Sequence, residues 1–571
     1  MKYLNYIRNI FLVVLLLLGI GSCTKNFEEM NKSPNSPVDV PAINIFTDAI
    51  YSALSTELGG WIQHTYLGCW SQQWVKIQYV DEDKYETRDM SGYFDGPYSG
   101  ALKDLTIVIN KTTEEGDDRL LAAAKILRAW QFMYLTDLWG DIPYSEALQG
   151  FSADGIIKPV YDAQEDVYMA LSAELAEANT LLSGTTVNFG SGDIMYGGDP
   201  VKWRKLANSL RLRLLNRCAG TPYTFTYDMA GTQPDVTTNP GAAAYASADA
   251  DIATMLSNPT QYPMLESNGD NATLVFPGLP YRNWIFNTLY SRTDQGIAQT
   301  MVDWLKARVD PRVHIYAQPF PDSYDEGTGD YSGLDYNGFQ NGSEELSTYF
   351  PNTSLIGTAV AYDENAPVYV MTYDEVQFNK AEHYLRVAND GAAQTAYEAG
   401  IAASMERWDC IDGGTVSPSY KYGPSLVEVL PVTYPVDYAT YLAHPLVDWD
   451  AAADDAHKFQ LICEQRWAAI FGQGVQAYNE IRRTGFPERI FEYELEATVY
   501  PNLGLPIRIW YSASEETYNG ENLADAKNRQ NIEEANESMF STNGITSQMW
   551  WHTRKNPIPT ETDPQIVFPP K

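Results

Sequence analysis

The sequence predicts a mainly α fold, a scaffold of helix pairs with long loop insertions. Three observations carry that reading: apolar residues recur at helical spacing, short Asn/Asp/Gly turns join such stretches in pairs, and long polar segments rich in Gly and Tyr separate them. Between Arg119 and Trp139, residues Ala123, Ile126, Leu127, Trp130, Tyr134 and Leu138 fall on one helical face. Trp203, Leu206, Leu210 and Leu214 repeat the pattern. Thr372-Tyr373-Asp374-Glu375 reads as a capping box opening a helix that carries Phe378, Ala381, Leu385 and Ala388. Asn389-Asp390-Gly391 ends it, and a second helix runs through Tyr397 and Ile401 to Trp408. Phe459, Ile462, Cys463, Trp467, Ile470 and Phe471 form a further stripe, closed by Gly472 and Gly474 before a shorter helix to Arg483. These look like helix-turn-helix pairs of the tetratricopeptide type. They are degenerate, because no strict repeat of about 34 residues is visible. The intervening segments, roughly 184–199, 220–248, 257–293, 318–367, 411–452 and 500–545, are long enough to expect function, with small strands inside them.

The chain opens on an address. Lys2 and Arg8 precede an apolar run over residues 10–20, which is shorter than the ~20 residues needed to span about 30 Å of hydrocarbon. Residues 1–22 therefore read as a signal peptide. Gly21-Ser22-Cys23 looks like a bacterial lipobox, so Cys23 is expected to be the acylated N-terminus of the mature chain, fixed to a membrane by several acyl chains. Residues 23–41, with Pro34, Pro37 and Pro41, form an extended tether, and 42–571 a single helical body.

Composition excludes some partners and gives no reaction. The 571 residues hold 39 Lys+Arg against 74 Asp+Glu, a net charge of −35 that repels phosphate, so no nucleic acid is expected. No phosphate-binding glycine loop, zinc-protease helix or nucleophile elbow occurs, and the six histidines form no i, i+4 pair. The chain is not expected to be an enzyme. Cys69, Cys218, Cys410 and Cys463 have no short spacing; buried thiols and long-range bridges are both open. No cofactor is expected, although Asp322, Asp325, Asp330 and Asp335 in a Gly-rich loop could hold a structural calcium ion.

Aromatic residues are the distinctive feature, with 39 Tyr and 14 Trp. One dense segment runs from Trp61 to Tyr98; Trp61 and Trp70 are assigned to the core. Trp74, Tyr79 and Tyr85 are expected to bind ligand together with Asp83. Tyr281, Trp284, Tyr290 and Arg292 make a second expected cluster. Rings stack on sugar faces or side chains at low entropy cost, while carboxylates and guanidinium groups orient hydroxyls.

Several stretches, in order along nearly the whole chain, resemble the SusD/RagB family of outer-membrane nutrient-binding lipoproteins. They are Cys23 followed by Asn26-Phe27-Glu28-Glu29-Met30-Asn31; Asp137-Leu138-Trp139-Gly140-Asp141-Ile142-Pro143-Tyr144; Trp203-Arg204-Lys205-Leu206-Ala207-Asn208; Met371-Thr372-Tyr373-Asp374-Glu375 with Ala381-Glu382; Glu464-Gln465-Arg466-Trp467; Arg482-Arg483-Thr484-Gly485-Phe486-Pro487; and Met549-Trp550-Trp551. Arg508-Ile509-Trp510-Tyr511-Ser512 departs from the family's Arg-x-x-Tyr-Pro. The resemblance implies a tetratricopeptide-like scaffold, lipid-anchored and exposed at the surface of a Gram-negative bacterium. It implies a SusC-like TonB-dependent outer-membrane barrel as partner, over which the protein closes as a lid. The implied ligand is an oligosaccharide, with an oligopeptide as the alternative. A surface glycoside hydrolase is the competing class.

Overall fold

The computed structural model describes Tyr3 and residues 40–550, other than 60, 86–89, 151–154, 221–223, 227–234, 238–242, 326, 346–350, 423–425, 488–505, 507 and 533–548. Cys23, the apolar run before it and most of the tether lie outside the described residues. Among those described, no helix is long and apolar enough to cross a membrane.

Helix α1 (Ala42–Leu58) follows Pro41, whose missing N–H costs nothing at a helix start. Helix α2 (Ala101–Glu115) ends on Gly116 at φ 71°. Helix α3 (Asp118–Trp139) is capped by the Asp117 carboxylate, which accepts from the Arg119 N–H, and α4 (Gln164–Leu181) follows. Helix α5 (Pro200–Cys218) is capped by Asp199. Each of these five packs on the next. After the short α6 (Trp284–Leu289), a second group forms from α7 (Tyr373–Arg386), α8 (Asp390–Arg407), α9 (Asp455–Ala469) and α10 (Gly474–Thr484). Helix α7 packs on α5 and joins the groups, and α10 lies against the π-helical turn Ile62–Leu67. The helices read from apolar spacing are all present. Strands occur as two-stranded pairs, among them β1 (Trp74–Lys76) with β3 (Gln295–Ile297), β2 (Ala272–Leu274) with β4 (Val368–Met371), and the hairpin β5 (Ser419–Tyr422) with β6 (Leu426–Val429). Of these, β2, β5 and β6 fall in the loop segments expected to hold strands, and β1, β3 and β4 outside them. The stretch 257–293 is thus not all loop, since it contains β2 and α6.

The capping box differs from expectation. Thr372 stands at the N-cap of α7, but its hydroxyl makes no cap bond. The Glu375 carboxylate that would complete a capping box instead takes two bonds from Arg213 at 2.6 Å each. The four cysteines of the body are free and buried, so they act as small apolar side chains.

Between the helices lies a buried ionic network built from the sequence stretches quoted above. The Asp137 carboxylate accepts from Arg217 and the Tyr168 hydroxyl. Glu382 meets Arg386 at 2.8 Å, Arg466 at 2.9 Å and Arg483 at 2.6 Å, and Glu480 pairs with both Arg466 and Arg483. Those motifs therefore hold the scaffold together rather than a ligand.

Glu57 of α1 sits in the same interior, where burial pushes its carboxyl up to about 8 against the pull of Arg213. The folded chain keeps this proton while the unfolded chain loses it near pH 4.3. The resulting stabilisation is complete below that pH and lost as pH rises through about 8. Urea midpoints are expected to fall between pH 5 and pH 8.5, and Glu57→Gln, neutral throughout, to reduce that fall. An unchanged slope in the variant would place the proton elsewhere.

Candidate ligand-binding surface

Pairing of β1 with β3 brings together segments more than two hundred residues apart. Its register sets Lys76 opposite Gln295 and Val75 opposite Gly296. The backbone at Gly296 runs close to its neighbours, since a Cβ there would stand 2.8 Å from Ile77 Cδ1 and 3.1 Å from the Ser354 carbonyl oxygen. Just beyond the paired residues, the Asp294 carboxylate accepts from Lys76 Nζ at 3.0 Å and from both Arg292 Nε and Nη2. Burial alone would raise this carboxyl, but the bonds from Arg292 and Lys76 outweigh it and hold it below the ordinary range. Lys76 Nζ lies 5.9 Å from the Trp61 ring and 6.0 Å from the Tyr79 ring, and the Arg292 guanidinium lies 5.8 Å from Tyr79. Trp61 is 39% exposed and Tyr79 59%. The backbone of Tyr79 is held at φ 55°, a left-handed conformation that a non-glycine residue adopts at a cost.

Helix α6 carries the second group. The Asn283 side chain caps it by accepting from the Phe286 N–H. Half-buried Trp284 packs edge-on against Phe276 at 4.9 Å and Tyr51 at 5.3 Å, and its Nε1–H donates to the Tyr51 hydroxyl at 3.1 Å. A Cβ on Gly59 would lie 3.0 Å from this indole, so Trp284 abuts the end of α1, two residues before Trp61. Tyr281, 60% exposed, meets Tyr51 edge-on. Tyr290 is exposed and stacks on Phe286 at 5.6 Å, while Lys421 donates to its main-chain carbonyl. Arg282 lies 5.4 Å from the Phe286 ring and pairs with Glu364. Exposed Trp61, Tyr79, Tyr281 and Tyr290, half-buried Trp284 and the ion-paired Arg282 and Arg292 together form the candidate ring band.

Five of the eight expected binding residues belong to this band: Tyr79, Tyr281, Trp284, Tyr290 and Arg292. Three do not. Trp74 is fully buried and stacks on Phe471 at 6.0 Å, because the strand β1 is covered on both faces. Tyr85 is buried edge-on against Trp70. The buried Asp83 carboxylate accepts from Asn341 Nδ2 at 2.6 Å and the Gly342 N–H at 2.8 Å, anchoring a loop distant in sequence. Burial pushes it up to about 7. Trp61, assigned to the core, is exposed at the start of the π-helical turn, whose own residues Ile62–Leu67 are buried. Tyr51, Lys76 and Asp294 were missed, since only the folded register places them beside the band.

Three carboxylates of the acidic loop have partners within the chain. The Asp325 carboxylate accepts from the Gly327 and Thr328 N–H groups, Asp330 from Ser332, and Asp335 pairs with Lys306. Among the described residues no three His, Cys, Asp or Glu side chains converge on a common point.

A profile for SusD-like proteins, described as starch-binding and associating with the outer membrane, matches residues 34–232 and 238–511. The chain belongs to the SusD-like family. Solved SusD-like structures carry the same fold. A SusD homologue from Bacteroides fragilis is 24% identical, with 90% of this chain and 100% of that one covered at a TM-score of 0.68. A chitin-binding protein is 23% identical, with 90% and 100% covered at 0.67. A chitin-binding SusD homologue from Flavobacterium johnsoniae is 22% identical, with 90% and 98% covered at 0.66. No curated protein matches the chain.

Proposed function

We propose that this SusD-like chain is a cell-surface lipoprotein that binds an oligosaccharide on the ring band, without cleaving it, and passes it to a SusC-like TonB-dependent barrel. The observation that carries the reading is the band itself. Large rings are exposed at Trp61, Tyr79, Tyr281 and Tyr290, with Arg292 oriented by Asp294 over Tyr79, in a chain whose negative charge disfavours anionic ligands. Stacking on neutral sugar faces gives moderate affinity, which suits a protein that must release its ligand. The family's description as starch-binding and the chitin-binding neighbours support a glycan over a peptide.

Anchoring is tested through Cys23. The Cys23→Ala chain is expected to leave the outer-membrane fraction, and the wild type, solubilised in mild detergent, to co-purify with a TonB-dependent barrel. A variant that stays in the outer membrane, or a wild type that brings no barrel, contradicts that part of the reading.

A further inference from the structure

We propose that, beside the ring band, this chain has an enclosed subsite for an acetamido group. The inference rests on the glycan reading above and names the chemistry that the glycan carries. A cavity of about 40 Å³ lies between the end of α1, the start of α6, the short helix Thr358–Ala361, β4 and the Gly472-Gln473 turn. Leu58, Ile285, Val360 and Phe471 give it apolar walls, and Ala359 and Pro367 of its lining are exposed, which puts its mouth beside them. Asn283 and Ile285 of its lining flank Trp284, so cavity and ring band share α6.

The deciding atoms belong to Gln473. Its side chain is 2% exposed, yet neither Nε2 nor Oε1 has a hydrogen-bond partner. The other amides of the lining are engaged. Gln63 donates to the Gly472 carbonyl at 2.6 Å and accepts from the Val475 N–H at 3.2 Å. Asn283 donates to the Ala366 carbonyl at 2.9 Å and accepts from the Phe286 N–H at 3.0 Å. Trp408, also in the lining, leaves its Nε1–H unpartnered. Buried amides are almost always paired, so one left open at both ends marks a position for an incoming donor and acceptor.

No charged side chain lines the cavity, so a carboxylate or ammonium group would be buried without a counter-charge. The space holds about three water-sized positions, which matches the three heavy atoms of an acetyl group. An acetamido carbonyl accepts from Gln473 Nε2–H and its methyl rests on the apolar walls, while its N–H, on the opposite edge of the trans amide, faces the mouth. A bare hydroxyl would leave those walls wet.

Calorimetric titration of the full chain with an N-acetylglucosamine oligomer, its deacetylated counterpart and a peptide bearing N-acetyl-lysine separates the outcomes. The wild type is expected to favour the acetylated sugar at least tenfold over the deacetylated one. Gln473→Leu removes both hydrogen-bonding ends and is expected to abolish that preference while leaving affinity for the deacetylated oligomer within twofold. Ala359→Phe narrows the mouth without touching the amide and is expected to do the same, which covers the case that Gln473→Leu fails to fold. A wild type that binds both oligomers equally overturns the subsite and leaves the glycan reading standing. A preference that survives in both variants overturns it as well. If Gln473→Leu raises Tm and changes no affinity, the cavity holds water only and the subsite is wrong. Binding of the acetylated peptide with no binding of either sugar keeps the acetamido site and overturns the glycan reading. Binding of none of the three overturns both.

Discussion

Replacing Glu382 by alanine is expected to cost about 3–5 kcal/mol of stability, the range seen when one partner of a buried ion pair is removed. Glu382 is fully buried and faces the guanidinium groups of Arg386, Arg466 and Arg483. Without it, Glu480 remains for Arg466 and Arg483, and Asp249 for Arg386. Three buried cations would then share two carboxylates. Burial pushes the Glu382 carboxyl up, but the three arginines outweigh it and hold it well below the ordinary range. Its stabilisation is therefore present above the unfolded value of about 4.3 and lost as pH falls through the lower folded value. Urea unfolding is expected to show the loss at pH 7 and a shallower acid limb in the variant. A loss under about 1 kcal/mol would contradict the network's structural role.

The second large effect separates core rings from surface rings. Trp74→Ala is expected to cost about 3–5 kcal/mol, because it empties a site packed between His64 and Phe471. Tyr79→Ala and Tyr281→Ala remove exposed rings and are expected to change stability by no more than about 0.5 kcal/mol. Each should instead weaken ligand binding by about 1 kcal/mol, roughly fivefold. Thermal melts and titrations on the three variants check both columns. Affinity loss in Trp74→Ala at unchanged Tm would reverse the assignment.

The scaffold was legible because a helix repeats its buried positions within a few residues. Ala123 to Leu138 shows that period along α3, and Trp203 to Leu214 along α5. The ring band was only half legible, because whether a ring is buried depends on what arrives from elsewhere in the chain. Trp74 lies in a three-residue strand buried on both faces, too short for any alternation to mark an exposed side. Asp83 is covered by the loop at Asn341, and Tyr85 by Trp70. Trp61 looks like core from composition, yet it stands at the exposed start of the turn whose following residues are buried. Tyr281 and Tyr290 were readable as a cluster because they bracket a single short helix. Gln473 carried only a weak signal, a polar residue between two glycines.

The central claim is that exposed rings at Tyr79 and Tyr281 hold an intact sugar chain. Calorimetric titration of the wild type and the Tyr79→Ala/Tyr281→Ala double variant against oligosaccharides, with the sugar recovered and weighed by mass spectrometry, tests it most directly. The variant is expected to melt with the wild type and to bind about thirtyfold more weakly, and both are expected to return the sugar uncleaved. Equal affinity in the two proteins, or a sugar returned in pieces, would contradict it.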